Sequence, residues 1–228
     1  MMKFALVALC LTGITIAKAQ DASTPEKRPV RVGIRAGLHF SRFSFKELPS
    51  EFSKPSGEDA FYAGLQFDIP VNKKLSIAPE LLYAYSSVQS FKSSSNISSQ
   101  ALCFDDLYNI LLPVLLKYKV RHISFSAGPQ AEFLLSANGV YVENNTIKTG
   151  DLKDRSYSNF GLSGVVGIEW VFNYRFGIDA RYQFGLTDAK ASNAASLLTE
   201  NAESIKMNAF QAGLFFRFGK KPSKRKTT

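Results

Sequence analysis

Charged side chains recur at alternate positions along this sequence, and their types and spacing could support acid–base chemistry or ion pairing. The cationic members of this set are Arg31, Arg35, Lys117, Arg181 and Arg217, and the acidic members are Asp68, Glu80, Glu132, Glu169 and Asp179. Two carboxylates such as Glu132 and Glu169 could act together as acid and base. Because arginines lie on the neighbouring segments, we expect the carboxylates to be neutralised as buried ion pairs instead.

A second arrangement that could do chemistry is the pair His39 and Ser41. With a carboxylate they could form a hydrolytic site, because hydrolases combine a hydroxyl nucleophile with a histidine base. A His–Ser pair alone is a weak signal, and we predict no catalytic residues. The cysteines and histidines do not have metal-ligand spacing, and the glycines do not form a phosphate-binding loop. We therefore predict no metal and no cofactor, and the sequence identifies no small-molecule substrate.

The elements that must position these residues are β-strands. Within residues 175–187, apolar side chains alternate strictly with polar or small ones. The apolar face consists of Phe176, Ile178, Ala180, Tyr182, Phe184 and Leu186. A strand places successive side chains on opposite faces, whereas a helix would scatter these six around its circumference.

About eight segments alternate in this way, and they predict an all-β protein. Their bounds are 30–41, 61–69, 75–86, 107–120, 122–135, 159–172, 175–187 and 209–218. Segment 107–120 is apolar on both faces and could be a buried helix if it were read alone. Pro113 in its middle and the alternation at 117–120 favour a strand, whose inner apolar residues would pack inside a barrel.

The links between these segments alternate in length. Tight turns are predicted at 71–74, 119–122 and 173–174, and long polar links at 42–59, 87–106, 136–156 and 188–203. Short turns at one end and long loops at the other are typical of outer-membrane barrels, whose long loops lie outside the cell. The pattern therefore predicts a transmembrane antiparallel up-and-down barrel with short periplasmic turns.

A soluble barrel that holds a ligand is the alternative architecture. The apolar face is almost free of charge on every strand, whereas the other face carries Gly, Ser, Gln and charges of both signs. A charged interior would be a poor soluble core, so we expect the apolar face to contact lipid. An eight-stranded barrel is just wide enough for side chains to fill it. We therefore predict a salt-bridged, filled interior rather than a charged conduit.

The N-terminus predicts export. A short positive start, an apolar run and the Ala17-Lys18-Ala19 cleavage pattern indicate a signal peptide over residues 1–19. We predict a periplasmic lead-in at 20–29, the barrel at 30–219 and a basic tail at 220–228. The formal net charge is +9, but an exported protein rarely meets nucleic acid, and we predict no nucleic-acid partner.

Aromatic residues collect near the predicted strand ends, as expected for interfacial girdles at headgroup level. They include Phe40, Phe43, Phe61, Tyr83, Tyr85, Tyr108, Tyr118, Phe160, Trp170, Phe172, Tyr174, Phe176 and Phe184.

Four stretches of the chain, 110–118, 125–136, 179–187 and 214–218, resemble strands of the PorT-like outer-membrane β-barrel family. The resemblance covers about residues 30–219 and implies an outer-membrane barrel. It implies no common biochemical role, although some members of that family are linked to protein secretion. Such barrels often end at their last aromatic residue, whereas basic and polar residues follow Phe218 here.

Three functional hypotheses follow from these patterns. The first is a non-enzymatic barrel, located in the cell outer membrane, whose role is structural or is to bind something outside the cell. The second is a subunit of an envelope machine such as a secretion apparatus, with the turns or the tail as contacts. The third is a lipid-active enzyme that uses His39. The expected partners are outer-membrane lipid and, under the second hypothesis, other envelope proteins.

Overall fold

A computed structural model describes residues 29–46, 56–57, 60–92, 101–143, 146–151, 153, 157–173, 175–189 and 204–219. The predicted signal peptide (1–19), nearly all of the lead-in (20–29) and the basic tail (220–228) lie outside these residues, as do Tyr174 and parts of the long links. Within the described residues, no helix is long and apolar enough to cross a membrane.

Strands account for nearly all of the described chain. They are β1 (Arg31–Lys46), β2 (Ser56–Gly57), β3 (Phe61–Pro70), β4 (Leu75–Lys92), β5 (Ala101–Val120), β6 (Ile123–Glu143), β7 (Thr146–Asp151), β8 (Phe160–Val171), β9 (Phe176–Gly185) and β10 (Ser204–Arg217). Eight strands form a closed ring in the order β1–β3–β4–β5–β6–β8–β9–β10, and β10 pairs with β1. Every pairing in the ring is antiparallel, so the predicted barrel is confirmed.

The two faces of each strand have opposite character. Outward apolar side chains are exposed on the barrel surface, such as Leu38 at 54%, Phe125 at 51% and Leu214 at 66%. Inward polar side chains such as Gln66 and Glu169 are buried. Burial of charge with exposure of aliphatic groups inverts the pattern of a soluble core, and it matches the alternation of membrane barrels.

Strand β5 resolves the ambiguity of the segment that is apolar on both faces. Leu111 and Leu115 are fully buried in the lumen, whereas Leu112 and Leu116 are exposed on the outer surface. The predicted strand, with its inner leucines packed inside the barrel, is confirmed.

The tight turns at one end have a local cause. The Asn72 side-chain oxygen accepts hydrogen bonds from the backbone N–H groups of Lys74 and Leu75, each at 2.8 Å. Asn173 does the same for Arg175 and Phe176, also at 2.8 Å. Such asparagine turns mimic a backbone turn and reverse the chain in few residues. These are the predicted periplasmic turns.

Strands β4, β5 and β6 are longer than the sequence pattern indicates. They contain 18, 20 and 21 residues, whereas β3 and β9 contain 10 each. The links expected at 87–106 and 136–156 are therefore largely paired strand, in register from Ser87 opposite Asp106 to Lys92 opposite Ala101. A span needs about 9–11 residues, so these strands continue past the membrane. We call the continuation, with β2 and β7, the extracellular extension (56–57, 87–92, 101–106, 136–143 and 146–151).

Close strand contact in the barrel wall depends on glycine. A Cβ added at Gly37 would lie 2.2 Å from the Ala212 carbonyl oxygen and 2.5 Å from the Gly213 Cα. Both neighbours are backbone atoms and cannot rotate away. At Gly161, by contrast, the nearest atoms to an added Cβ are 3.6 and 3.7 Å away, which is ordinary contact.

We expect Gly37→Ala to lower the free energy of unfolding by about 1–3 kcal/mol, because overpacking forces the backbone apart. Gly161→Ala is the matched control and should change it by less than about 0.5 kcal/mol. Denaturant titration of the refolded protein in detergent micelles measures both. Equal effects of the two substitutions would contradict the close-packing argument.

Candidate functional site

Seven of the predicted interior residues converge in one cluster across the lumen. Its cations are Arg35, Lys117, Arg181 and Arg217, and its carboxylates are Glu80, Glu169 and Asp179. The side chains of Arg35, Glu80, Glu169 and Asp179 are 0% exposed. The cluster, which we call the lumenal charge cluster, links strands β1, β4, β5, β8, β9 and β10.

Arg35 on β1 contacts all three carboxylates. Its Nη1 donates to both Glu80 carboxylate oxygens at 3.0 Å. Its Nη2 donates to Glu169 Oε1 at 3.2 Å and to Asp179 Oδ1 at 3.1 Å. The planar guanidinium, with its several fixed donors, is well suited to bridging three acids. Arg35 therefore connects opposite sides of the wall through the lumen.

Glu80 receives a second arginine in a fork arrangement. Arg181 Nη1 donates to Glu80 Oε2 at 2.7 Å, and Arg181 Nη2 donates to Glu80 Oε1 at 2.9 Å. Such paired charge-assisted hydrogen bonds are stronger than neutral ones and fix orientation. Glu80 on β4 is thereby held by side chains from β1 and β9.

Glu169 on β8 has the most cationic neighbours. Lys117 Nζ donates to Glu169 Oε1 at 2.5 Å, and Arg217 Nη2 donates to Glu169 Oε2 at 2.9 Å. Arg35 and Arg181 also approach Oε1, at 3.2 and 3.5 Å. A buried carboxylate is tolerated only when it is paired and hydrogen-bonded. Glu169 is therefore the acid that contacts all four cations of the cluster.

Three predicted residues lie outside the cluster. Arg31 and Asp68 approach only to 4.0 Å at the periplasmic rim, where their side chains are 18% and 13% exposed. Glu132 contacts amides instead of cations: Gln183 Nε2 donates to its Oε1 at 2.7 Å. The expectation that all ten charges form one network is therefore too broad, because Glu132 lies at a different level of the lumen.

Residues that were not assigned to the predicted network complete the cluster. Tyr62 donates its hydroxyl to Asp179 Oδ2 at 3.3 Å. Phe215 is 2% exposed and lies under the Arg217 guanidinium carbon, 4.4 Å from the ring centroid. Both stand on the inward side of the strand alternation, which was the available signal. Their partners across the lumen could not be deduced from that alternation.

The rest of the lumen is packed. Buried apolar side chains form two groups, namely Tyr62, Leu82, Ala84 and Leu111, and Ala78, Leu115 and Val165. A cavity of about 40 Å³ remains between Glu132 and the extracellular mouth. A volume of this size holds a few water molecules at most. The described lumen is therefore a side-chain plug.

A tyrosine–aspartate pair lies near the extracellular mouth. The Tyr157 hydroxyl donates to Asp105 Oδ2 at 2.5 Å, and both residues are buried. Burial and the adjacent Asp105 carboxylate raise the pKa of Tyr157 well above its ordinary value. The hydroxyl therefore stays protonated and ties the chain before β8 to β5.

His39 does not stand in a hydrolytic arrangement among the described residues. It is buried, and its Nδ1 lies 2.9 Å from Gln211 Nε2. Ser41 is also buried, and its hydroxyl has no hydrogen-bond partner within the described chain. The hydrogen bonds found for His39 in these residues therefore include neither Ser41 nor a carboxylate.

The outer surface carries aromatic rings in two bands. Towards the extracellular end, Phe61, Tyr85 and Tyr108 are in contact, with centroid distances of 5.6 and 5.1 Å. Towards the periplasmic end, the ring centroids of Trp170 and Phe172 are 6.3 Å apart. Paired bands of this kind lie at the two membrane interfaces.

Loss of the Glu169 charge tests the cluster. We expect Glu169→Gln to reduce the free energy of unfolding by about 3–5 kcal/mol, because the one carboxylate that all four buried cations contact loses its charge. The control is Asp68→Asn, which should reduce it by at most about 1 kcal/mol because that pair is long and partly exposed. Denaturant titration in detergent micelles compares them, and similar losses would contradict the hub role of Glu169.

Comparison with known proteins supports the same architecture. Residues 18–191 match the model of the outer membrane protein beta-barrel domain family. No curated protein matches the sequence.

Three solved structures among those similar to this chain are a surface protein, an attachment invasion locus protein and an outer membrane protein. Neisserial surface protein A is 11% identical with a TM-score of 0.49, covering 84% of this chain and 100% of that one. Ail of Yersinia pestis, in complex with the heparin analogue sucrose octasulfate, is 12% identical with a TM-score of 0.47, covering 84% and 100%. OprG from Pseudomonas aeruginosa is 12% identical with a TM-score of 0.42, covering 83% and 96%.

The family model covers most of the chain, and the closed ring with its lipid-facing apolar surface agrees with it. The chain therefore belongs to the outer membrane protein beta-barrel domain family and resides in the cell outer membrane.

Proposed function

We propose that this protein is a non-enzymatic, non-conducting barrel that presents the extracellular extension to a binding partner outside the cell. The observation that carries the proposal is the length of β4, β5 and β6, which contain 18, 20 and 21 residues. A membrane span uses about half of such a strand. The remainder forms a paired sheet beyond the aromatic band at Tyr85 and Tyr108.

The filled lumen supports a scaffold role over transport. Arg35, Glu80, Glu169 and Asp179 cross the lumen with side chains that are 0% exposed. Breaking such a buried network leaves uncompensated charges, so it does not open easily. A rigid barrel of this kind suits a protein that acts through its extracellular extension.

An enzymatic role receives less support. His39 contacts Gln211, and Glu132 contacts Gln183 and Gln130. Catalytic bases work within hydrogen-bond reach of a nucleophile or of a substrate. Both groups are enclosed in the lumen, where the cavity next to Glu132 is about 40 Å³ and excludes lipid or peptide.

We also propose that the chain falls in the PorT-like group within its family. The support is the resemblance of stretches 110–118, 125–136, 179–187 and 214–218 to strands of that group. Some members are linked to protein secretion, so a place in an envelope machine is the alternative function.

The side-chain plug predicts that the barrel does not conduct ions. We expect the full-length mature protein in a planar bilayer to show no steady conductance, because side chains fill an eight-stranded barrel. A sixteen-stranded porin inserted in the same bilayer is the positive control. Stable ohmic steps from the purified protein would contradict the plug and the non-conducting role.

Trimming tests the extension. Gly139 pairs with Gly150, and Gln89 pairs with Phe104. Replacing 140–149 and 90–103 with Asn-Gly keeps both registers, because Asn-Gly forms a two-residue hairpin turn. We expect the trimmed protein to assemble in the outer membrane but to lose the extracellular partner that an impermeant cross-linker captures on the full chain.

Two controls make the trimming result decisive. A difference in electrophoretic mobility between heated and unheated samples shows that the trimmed barrel has folded. If the trimmed protein restores every phenotype of a deletion strain, the extension is dispensable and the extracellular-binding role is wrong. Retention of envelope partners that removal of 220–228 abolishes would favour the machine-subunit alternative.

A further inference from the structure

Two neighbouring turns leave a concavity between them on the periplasmic rim. Residues 121–122 join β5 to β6, and residues 172–175 join β8 to β9. The turns are adjacent because β6 pairs with β8, and the Val171 N–H donates to the His122 carbonyl at 2.8 Å. The concavity, which we call the rim cleft, has a volume of about 670 Å³. This size lies within the range of small-molecule sites.

The rim cleft is cationic. Its lining includes Lys119, Arg121, His122 and Arg175. Within the described chain, salt bridges at this end engage Arg31, Lys117 and Arg217, whereas none joins an acid to Lys119, Arg121 or Arg175. Lys119 is half-buried and lies within electrostatic reach of Asp68 and Glu169 on the lumen side. Arg121 and Arg175 have no salt-bridge partner among the described residues, so these two cations make the open cleft a site for an anion.

The backbone at Arg121 adds an independent observation. Its φ is 52°, and it is the one non-glycine residue with positive φ in the described chain. Glycine takes this conformation without strain, whereas a side chain with a Cβ does not. The turn therefore holds an arginine where the backbone favours glycine. Residues in such conformations cluster at functional sites.

The outer edge of the rim cleft is apolar. Phe172 and Phe176 line it and are 57% and 51% exposed on the lipid side. Phe176 packs on Phe216 with 4.7 Å between the ring centroids, and the Phe172 ring centroid lies 6.3 Å from that of Trp170. The cleft thus runs from cations at the rim to the aromatic band at the membrane interface, where headgroups lie.

We propose that the rim cleft binds the phosphate of an anionic phospholipid from the periplasmic leaflet. The phosphate lies among Lys119, Arg121 and Arg175, and the acyl chains descend along Phe172 and Phe176. A zwitterionic lipid has the same phosphate but no net charge, so the cations select a lipid such as phosphatidylglycerol. Inorganic phosphate shares the phosphate chemistry but cannot use the aromatic edge.

The single tryptophan gives a direct readout. The sequence contains one Trp, and Trp170 lies next to the rim cleft on the lipid side. The full mature chain is reconstituted in phosphatidylcholine vesicles that contain acyl-brominated phosphatidylglycerol or acyl-brominated phosphatidylcholine at equal mole fraction. We expect the anionic lipid to quench Trp170 fluorescence at a lower mole fraction than the zwitterionic lipid.

Charge removal should abolish this preference. We expect each of Arg121→Gln and Arg175→Gln to weaken relative binding of phosphatidylglycerol roughly fivefold, in line with the attraction of one cation at an anionic surface. Lys73→Gln is the matched control, because Lys73 is an exposed cation in the turn between β3 and β4 and does not line the cleft. It should leave the preference unchanged.

Arg121→Gly separates binding from folding. Glycine relieves the positive φ, so this variant should resist denaturant at least as well as the wild type while losing the same lipid preference. Equal quenching by the two brominated lipids in the wild type overturns the proposal, as does an equal loss with Lys73→Gln. Phosphate binding in lipid-free micelles without any preference for phosphatidylglycerol in vesicles would assign the cleft to free phosphate and overturn the lipid.

Discussion

Everything in this protein depends on satisfying polar groups without water. Hydrocarbon surrounds the wall, so each backbone N–H and C=O must pair within the chain, and only a closed ring of strands achieves this. As a result of ring closure, one face of every strand points towards a narrow lumen. Charges on that face must then neutralise one another, because a buried unpaired ion is strongly unfavourable.

The lumenal charge cluster meets that second requirement and thereby fixes the wall. Glu169 contacts cations from four other strands, and Arg35 contacts acids from three. Contacts across the lumen constrain strands that share no backbone hydrogen bonds, such as β1 and β4. The two levels of pairing therefore support each other: the backbone closes the ring, and the side chains brace it from within.

The alternation along the strands was sufficient to predict the barrel and the facing of its residues. The alternation of side chains along a strand is a local property of the sequence. Leu214, which is exposed on the outer surface, and Arg217, which is buried in the lumen, show its two faces. The pairing of Arg35 with Glu80 was not predictable in the same way, because it depends on register and strand tilt around the whole ring. Glu132 shows the consequence, since it shares the inward face yet bonds to amides.

Strand ends were the other feature that the pattern did not reveal. The continuations of β4, β5 and β6 beyond Ser87, Asp106 and Ser136 lack regular apolar alternation, because neither face meets lipid there. Backbone pairing between the strands continues through these segments. The left-handed backbone at Arg121 was equally unpredictable, since arginine in a turn gives no sign of its φ.

The seam between β1 and β10 sets the order of biogenesis. The register runs from Gly33 opposite Arg217 to Lys46 opposite Ser204, so the first barrel strand bonds to the last one along its length. Until β10 has been synthesised and exported, β1 has an unsatisfied edge and Arg217 cannot reach Glu169. Insertion must therefore follow translation, and the cell has to keep a complete, unfolded polypeptide from aggregating on its way across the envelope.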